Sequence, residues 1–195
     1  MPPRPKVTRE QIVNGALALV RRGGEAALTA KALAAELSCS TQPIFWHFST
    51  MEELRGAVYE AALGVFGEHL RRPQEGVSPY MAVGLNYISF ASEERALFRL
   101  LFMSDFGQTD VLGAHVEMEY ILGVIEESEG LTGIAAETLY RDMWLFSHGI
   151  AAMTATGTAA FGKEEVRAML SDVCRGLIAK FRQEQEKKQI KRSGT

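Results

Sequence analysis

A chain of 195 residues with 47% hydrophobic and 23% charged residues can bury one ordinary core or two small ones, which excludes an intrinsically disordered protein. It holds no apolar run of about 18 residues, and its opening Met-Pro-Pro-Arg-Pro-Lys has no apolar h-region, so neither a membrane span nor a secretion signal is expected and a cytoplasmic protein is the expectation. The net charge of −3 is unevenly placed: residues 1–50 carry six Lys/Arg against three Asp/Glu, residues 51–180 ten against nineteen, and residues 181–195 five against two, the layout of a DNA reader joined to a separate sensing or assembly part.

Arg4, Lys6 and Arg9 precede or open a first helix capped by Thr8, with Ile12, Ala16, Leu19 and Val20 on one face and Gly23-Gly24 at its end. Thr29 is an N-cap for a second helix to Leu37, where Leu33 and Leu37 make one apolar stripe. Ser38-Cys39-Ser40 breaks the pattern, and Ser40 is a cap candidate for a short helix to about Trp46, giving helix, three-residue turn, helix. Pro43 then falls in a first turn, where the backbone amides have no intrahelical partner to lose. Thr41 and Gln42 in that turn are placed to read base edges in a major groove. Ile44, Phe45 and Phe48 are expected to pack the helix down, and the polar-tipped rings of Trp46 and His47 to reach phosphates, as are Thr29 and the cations Arg4, Lys6 and Arg9. The bland alternative is that 44–48 is ordinary aromatic core; the flanking caps favour a helix-turn-helix.

Residues 8–58 resemble the DNA-binding domain of the tetracycline-repressor (TetR) family. The residues that carry the resemblance are Gly23-Gly24, Thr29, Ser40, Ile44, Phe45, His47 and Phe48, followed by Glu53-Leu54 opening a long fourth helix. Three positions depart from the family pattern. Ser38 stands where a turn glycine is usual, which asks a serine for the left-handed conformation. Phe45 replaces a common Tyr and Met51 a common Lys, removing a hydroxyl and a cation that could bind phosphate. The resemblance implies a homodimeric transcriptional regulator, most often a repressor, on a palindromic double-stranded operator, released when a small-molecule effector favours a dimer with wrongly spaced reading helices.

Residues 51–70 continue as a helix, and Pro73, Gly76 and Pro79 mark a loop. Beyond it the pattern is helical throughout. Ser78 caps a helix to about Ala91, and Ser92 caps another carrying Leu97, Leu100, Leu101 and Phe102. Residues 109–128, 132–159 from a Thr132 cap, and 163–188 follow. The expected fold is all-α: a DNA-binding domain over 1–50, a helical bundle for effector binding and dimerisation over 51–188, and a disordered basic tail over 189–195.

The helix at 132–159 is apolar nearly all round, with Leu139, Met143, Phe146, Ile150 and Met153 on one stripe and Tyr140, Trp144, Ala151 and Ala155 on another, so neighbours must cover several sides. Trp144 with His148-Gly149 also resembles the Trp and His-Gly signature of one TetR C-terminal subgroup, which makes an effector pocket the expectation. Its lining would be Phe102, Met103, Phe106, Met118, Trp144 and His148, suited to an apolar or aromatic molecule, neutral or cationic rather than anionic. The same set can equally be core, and His148 a satisfied core histidine. Val166, Leu170, Val173, Leu177 and Phe181 form a stripe that a single chain need not cover alone, pointing to a homodimer through the last two helices.

Cys39 and Cys174 follow no metal or redox spacing and read as reduced thiols. His115 and Glu119 alone do not make a metal site, no cofactor is implied, and no nucleophile with a base, paired carboxylates or phosphate loop has useful spacing for catalysis. The rivals are a helix-turn-helix DNA-binding protein with no small-molecule effector, and a helical enzyme whose N-terminal motif is vestigial.

Overall fold

The computed structural model describes residues 7–104 and 117–193, with side chains as far as Glu184; Arg4, Lys6, Phe106 and His115 lie outside the described residues. The described residues are all-α, as the periodicity required. They form α1 (Arg9–Gly23), α2 (Ala30–Glu36), α3 (Gln42–His47), α4 (Met51–Leu70), α5 (Pro79–Glu93), α6 (Arg95–Phe102), α7 (Met118–Glu129), α8 (Gly133–Thr156) and α9 (Lys163–Ser193), with a 3-10 turn over Glu25–Ala27. None of these helices is long and apolar enough to cross a membrane.

Most helix starts are made by the residues whose chemistry calls for it. The Gln11 N–H donates to Thr8 Oγ1 at 3.1 Å while the Thr8 N–H donates to Gln11 Oε1 at 2.9 Å, a reciprocal capping box. Thr29 accepts from the Ala32 N–H at 3.1 Å, and Ser78 from the Met81 N–H at 3.3 Å with Pro79 as the first helical residue. A further cap was overlooked in the sequence: Thr50 accepts from the Glu53 N–H at 3.1 Å, and the Glu53 carboxylate takes the Ser49 N–H at 2.7 Å. Its signal is the Thr-Met-Glu-Glu run, with an acid three residues after a threonine.

Two expected caps are corrected. The N-cap of α3 is Thr41, not Ser40; Thr41 is already right-handed helical (φ −70, ψ −21), so it makes no side-chain cap bond and holds the first turn only through its carbonyl, which accepts from Ile44 at 3.1 Å. Pro43 is still in the first turn. Ser92 does not open α6 either: its hydroxyl donates backwards to the Ser89 carbonyl at 2.9 Å, α5 runs on to Glu93, and Glu94 precedes α6. Thr132 does precede α8, without a side-chain bond, and α8 ends at a left-handed Gly157 rather than at 159. α9 continues to Ser193, past the expected end at 188.

The described residues divide into two compact units, 7–68 with 93–104, and 69–92 with 117–193. In the first, α1 packs on α2, α3 and α6 around Ile12, Ala16, Val20, Leu33, Ile44 and Phe98, all essentially without solvent exposure. Gly15 lets α2 approach: a Cβ there would stand 3.0 Å from Leu37 Cδ2. Arg21 Nε and Nη2 grip the Glu94 carboxylate at 3.0 and 2.9 Å, a bidentate pair that ties α1 to the start of α6.

In the second unit α7 and α9 both pack on α8. The buried Asn86 of α5 closes the end of α4, donating to the Leu70 and Arg72 carbonyls at 3.0 and 2.7 Å and accepting from Gln74 Nε2 at 2.7 Å. Those carbonyls have no intrahelical donor of their own, and the amide meets that need inside the core.

Between α2 and α3 the chain turns at Ser38, which takes φ 51, as the sequence demanded of it. The Cys39 N–H bonds the Ala34 carbonyl at 2.9 Å and the Ser38 N–H the Ala35 carbonyl at 3.1 Å, the paired bonds of a Schellman ending. A side chain in that conformation is strained, and glycine is not. Ser38→Gly should therefore stabilise the first unit by roughly 0.5–1 kcal/mol despite the added freedom of the unfolded chain, measured by chemical denaturation of the full chain.

Candidate functional site

α3 is only six residues long, yet its two faces are sharply divided. Ile44 and Phe48 are buried, at 0% and 1% exposure, whereas Thr41, Gln42, Phe45, Trp46 and His47 are exposed. Phe45 is thus corrected from a packing residue to a surface one, at 44% exposure; it stands one turn after Thr41 and shares its open face. Trp46 is 70% exposed, an indole in water that only a partner surface would cover.

Other expected DNA contacts take part in holding this face. The His47 Nε2 lies 3.0 Å from the Val7 carbonyl and pins the chain entering α1 against α3. The Arg9 guanidinium lies over the Phe48 ring at 4.8 Å. Thr29 is exposed, and because its oxygen accepts from Ala32, its hydroxyl hydrogen stays available to donate. Ser40 and Thr41 are exposed without a cap bond, and Pro43 is half-buried.

In the second unit a small cavity, open on one side, lies among α5, α7, α8 and α9. Tyr80, Val83, Gly84 and Tyr87 reach it from one face of α5, Tyr140, Met143, Trp144 and Ser147 from α8, and Leu170 and Cys174 from α9. Of the expected lining, Trp144 is in this wall. His148 is beside it, stacked on the Trp144 ring (centroids 5.0 Å apart, planes at 19°) with its Nδ1 2.9 Å from the Tyr87 hydroxyl. Met118 begins α7 and is half-buried. Phe102 and Met103 belong to the first unit, where Phe102 packs on Phe66 and Phe98 with centroids 5.1 and 5.0 Å away, and Met103 is exposed.

The sequence reading missed Tyr80, Tyr87 and Ser147. Tyr80, Val83, Gly84 and Tyr87 do repeat at helical spacing, but that spacing marks a buried face and says nothing about whether the face is filled. Burial keeps every titratable wall group uncharged near neutrality: it raises the tyrosine hydroxyls of Tyr80, Tyr87 and Tyr140 and pushes the Cys174 thiol up to about 11, the latter aided by the Glu129 charge. It also lowers the His148 imidazole below its ordinary 6.5.

On α9 the buried positions are Val166, Leu170, Cys174, Ile178 and Phe181, facing their own chain. Val173 and Leu177 lie on the neighbouring, half-buried side, so the expected stripe spans two faces. On α8, Leu145 and Met153 stand two turns apart with 52% and 39% exposure, and Gly149 between them has open space around its Cβ position.

His148 sets a pH dependence whose sign follows from its burial. Its folded-state pKa lies below the unfolded value of 6.5, so the unfolded chain binds the proton more readily, and the stability present above 6.5 is lost as pH falls through the folded pKa. The thermal midpoint of the second unit should drop when pH is taken from above to below 6.5, and His148→Gln should flatten that part of the profile.

Residues 12–58 match the model of a family described as bacterial regulatory proteins, tetR family. No curated protein sequence matches the chain. Among solved structures, a protein of unknown function from Rhodococcus sp. RHA1 superposes with a TM-score of 0.67 at 22% identity, covering 86% of this chain and 93% of that one. A TetR-like transcriptional regulator from Rhodococcus sp. RHA1 superposes with 0.63 at 19% identity over 90% and 98%. A TetR variant from Acinetobacter baumannii AYE in complex with minocycline gives 0.57 at 19% identity over 91% and 98%. At these identities the likeness is one of fold. The described residues thus have the TetR-like all-helical fold, and the segment over residues 12–58 matches the tetR-family model of bacterial regulatory proteins.

Proposed function

We propose that the chain is a homodimeric, sequence-specific DNA-binding regulator, a repressor of a palindromic operator that a small apolar or aromatic effector releases. The single observation that carries the DNA-binding part is α3: a helix with a tetR-family sequence whose polar and aromatic residues face solvent while Ile44 and Phe48 anchor it. In this reading residues 1–50 are the DNA-binding domain, 51–188 bind effector and partner subunit, and 189–195 are a basic tail. The cytoplasm is its compartment, and the Trp144 and His148-Gly149 run supports membership of the corresponding TetR subgroup. The effector part is supported by the cavity beside Trp144 and by the minocycline held by the TetR variant of like fold.

Thr41 and Gln42 read bases, with Ser40, Pro43 and Phe45 beside them. Trp46, His47, Thr29, Arg4, Lys6 and Arg9 contact the phosphate backbone. The dimer forms through α8 and α9, where Val173, Leu177, Leu145 and Met153 supply the apolar area left open by the chain itself, and Val166, Leu170 and Phe181 support that surface from beneath.

Selection of bound fragments from random DNA tests the whole reading: recovery of a palindrome is expected, and recovery of no preferred sequence would refute it. On that operator, Gln42→Ala should lose roughly 1–3 kcal/mol at one base position while sparing others. Arg9→Ala should weaken every sequence alike and reduce the salt slope by about 1. Uniform losses from both would place the reading face elsewhere. Val173→Glu should sediment as monomers and lose operator binding, whereas a dimeric Val173→Glu protein would move the interface off α9.

A further inference from the structure

Ser147 is 4% exposed, lies in the cavity wall, and has no hydrogen-bond partner among the described residues. Buried hydroxyls on a helix ordinarily donate to the carbonyl four residues back. Three other hydroxyls of α8 do this: Thr138 to Ile134 at 2.7 Å, Thr154 to Ile150 at 2.9 Å and Thr156 to Ala152 at 2.8 Å. No bond from Ser147 to Met143 is found, so among the described residues its hydroxyl is left open toward the cavity, where an incoming group can reach it.

Gly84 stands beside this hydroxyl: a Cβ there would be 3.4 Å from Leu170 Cδ1 and 3.9 Å from Ser147 Oγ, ordinary contact distances that leave room for a methyl group. Of the other polar groups of the wall, the Tyr87 hydroxyl is engaged with His148 Nδ1 and the Tyr80 hydroxyl donates to the Leu139 carbonyl. The remaining surface is chiefly the rings of Tyr140 and Trp144, which also carry a hydroxyl and an indole N–H, and the apolar flanks of Met143 and Leu170; among the described residues the wall contains no Asp, Glu, Lys or Arg.

We infer that this cavity takes an uncharged, flat, largely apolar molecule bearing one hydrogen-bonding group, and that Ser147 is the residue that reads that group. The inference rests on the reading of the chain as an effector-responsive regulator. An anion or a cation entering here would lose its hydration with no opposite charge in the wall to replace it. A molecule with no polar group would leave Ser147 unsatisfied. An uncharged ring compound with one hydroxyl or carbonyl meets both conditions, since serine can donate or accept.

The test is calorimetric titration of the full-length protein with four probes of one ring system: 1-naphthol, naphthalene, 1-naphthoate and 1-naphthylmethylammonium. Wild type should bind 1-naphthol about fivefold or more tighter than naphthalene, and both charged probes more weakly than either. Ser147→Ala should erase the difference between naphthol and naphthalene while leaving naphthalene affinity unchanged. Unchanged naphthol affinity in Ser147→Ala, a charged probe binding as tightly as naphthol, or no binding by any of the four would overturn the inference. Operator release is measured separately. Ser147-dependent naphthol binding that leaves the DNA complex intact would refute the effector reading and leave the cavity assignment standing. Release by a compound whose affinity Ser147→Ala leaves unchanged would do the reverse.

Discussion

A six-residue helix has no stability of its own in water, because nucleation is costly and so few bonds follow it. α3 therefore exists only as far as the rest of its unit holds it, and the hold is the burial of two side chains, Ile44 and Phe48. Around that anchor, the Schellman ending of α2 fixes the angle at which the chain enters, the Thr41 carbonyl starts the helix, and His47 ties it to Val7. The outward residues make few demands on the fold. That division lets a reading surface vary in sequence while its position stays fixed.

The second unit meets a different constraint, which is to carry polar groups inside an apolar bundle. Asn86 does so by donating both amide hydrogens to the carbonyls at the end of α4 and accepting from Gln74 at its oxygen. Tyr87 and His148 satisfy one another. Tyr80 donates to the Leu139 carbonyl at 3.4 Å. Against that background the open hydroxyl of Ser147 is an exception, and an exception beside empty space is where a site is expected.

Much of the fold was legible because helices announce themselves through local chemistry. Thr8, Thr29 and Ser78 stand where a side-chain oxygen can meet orphaned amides, and those starts were read correctly. Ser40 and Ser92 show the limit: a serine can also turn its hydroxyl back to a preceding carbonyl, or leave capping to its neighbour, and no local pattern separates these choices. Faces were harder than elements. The α9 stripe drawn from spacing mixed Leu170, which is buried by its own chain, with Val173 and Leu177, which are not, because adjacent stripes on a helix differ by a few tens of degrees. The cavity was harder still. Its walls obey the same periodicity as filled core, and the one sequence sign was Ser147 interrupting the Leu139, Met143, Ile150 stripe.

The chain has two tryptophans, and they stand in very different surroundings: Trp46 is 70% exposed on α3, and Trp144 is half-buried in the cavity wall against the His148 ring. Their fluorescence is accordingly separable. An exposed indole emits to the red and is open to collisional quenchers such as iodide, while one within an apolar wall emits further to the blue and is shielded. Native emission thus carries two independent signals without any label, a red component reporting on whatever covers α3 and a blue one on whatever enters the bundle, so events at the two places can be timed against each other in a single mixing experiment.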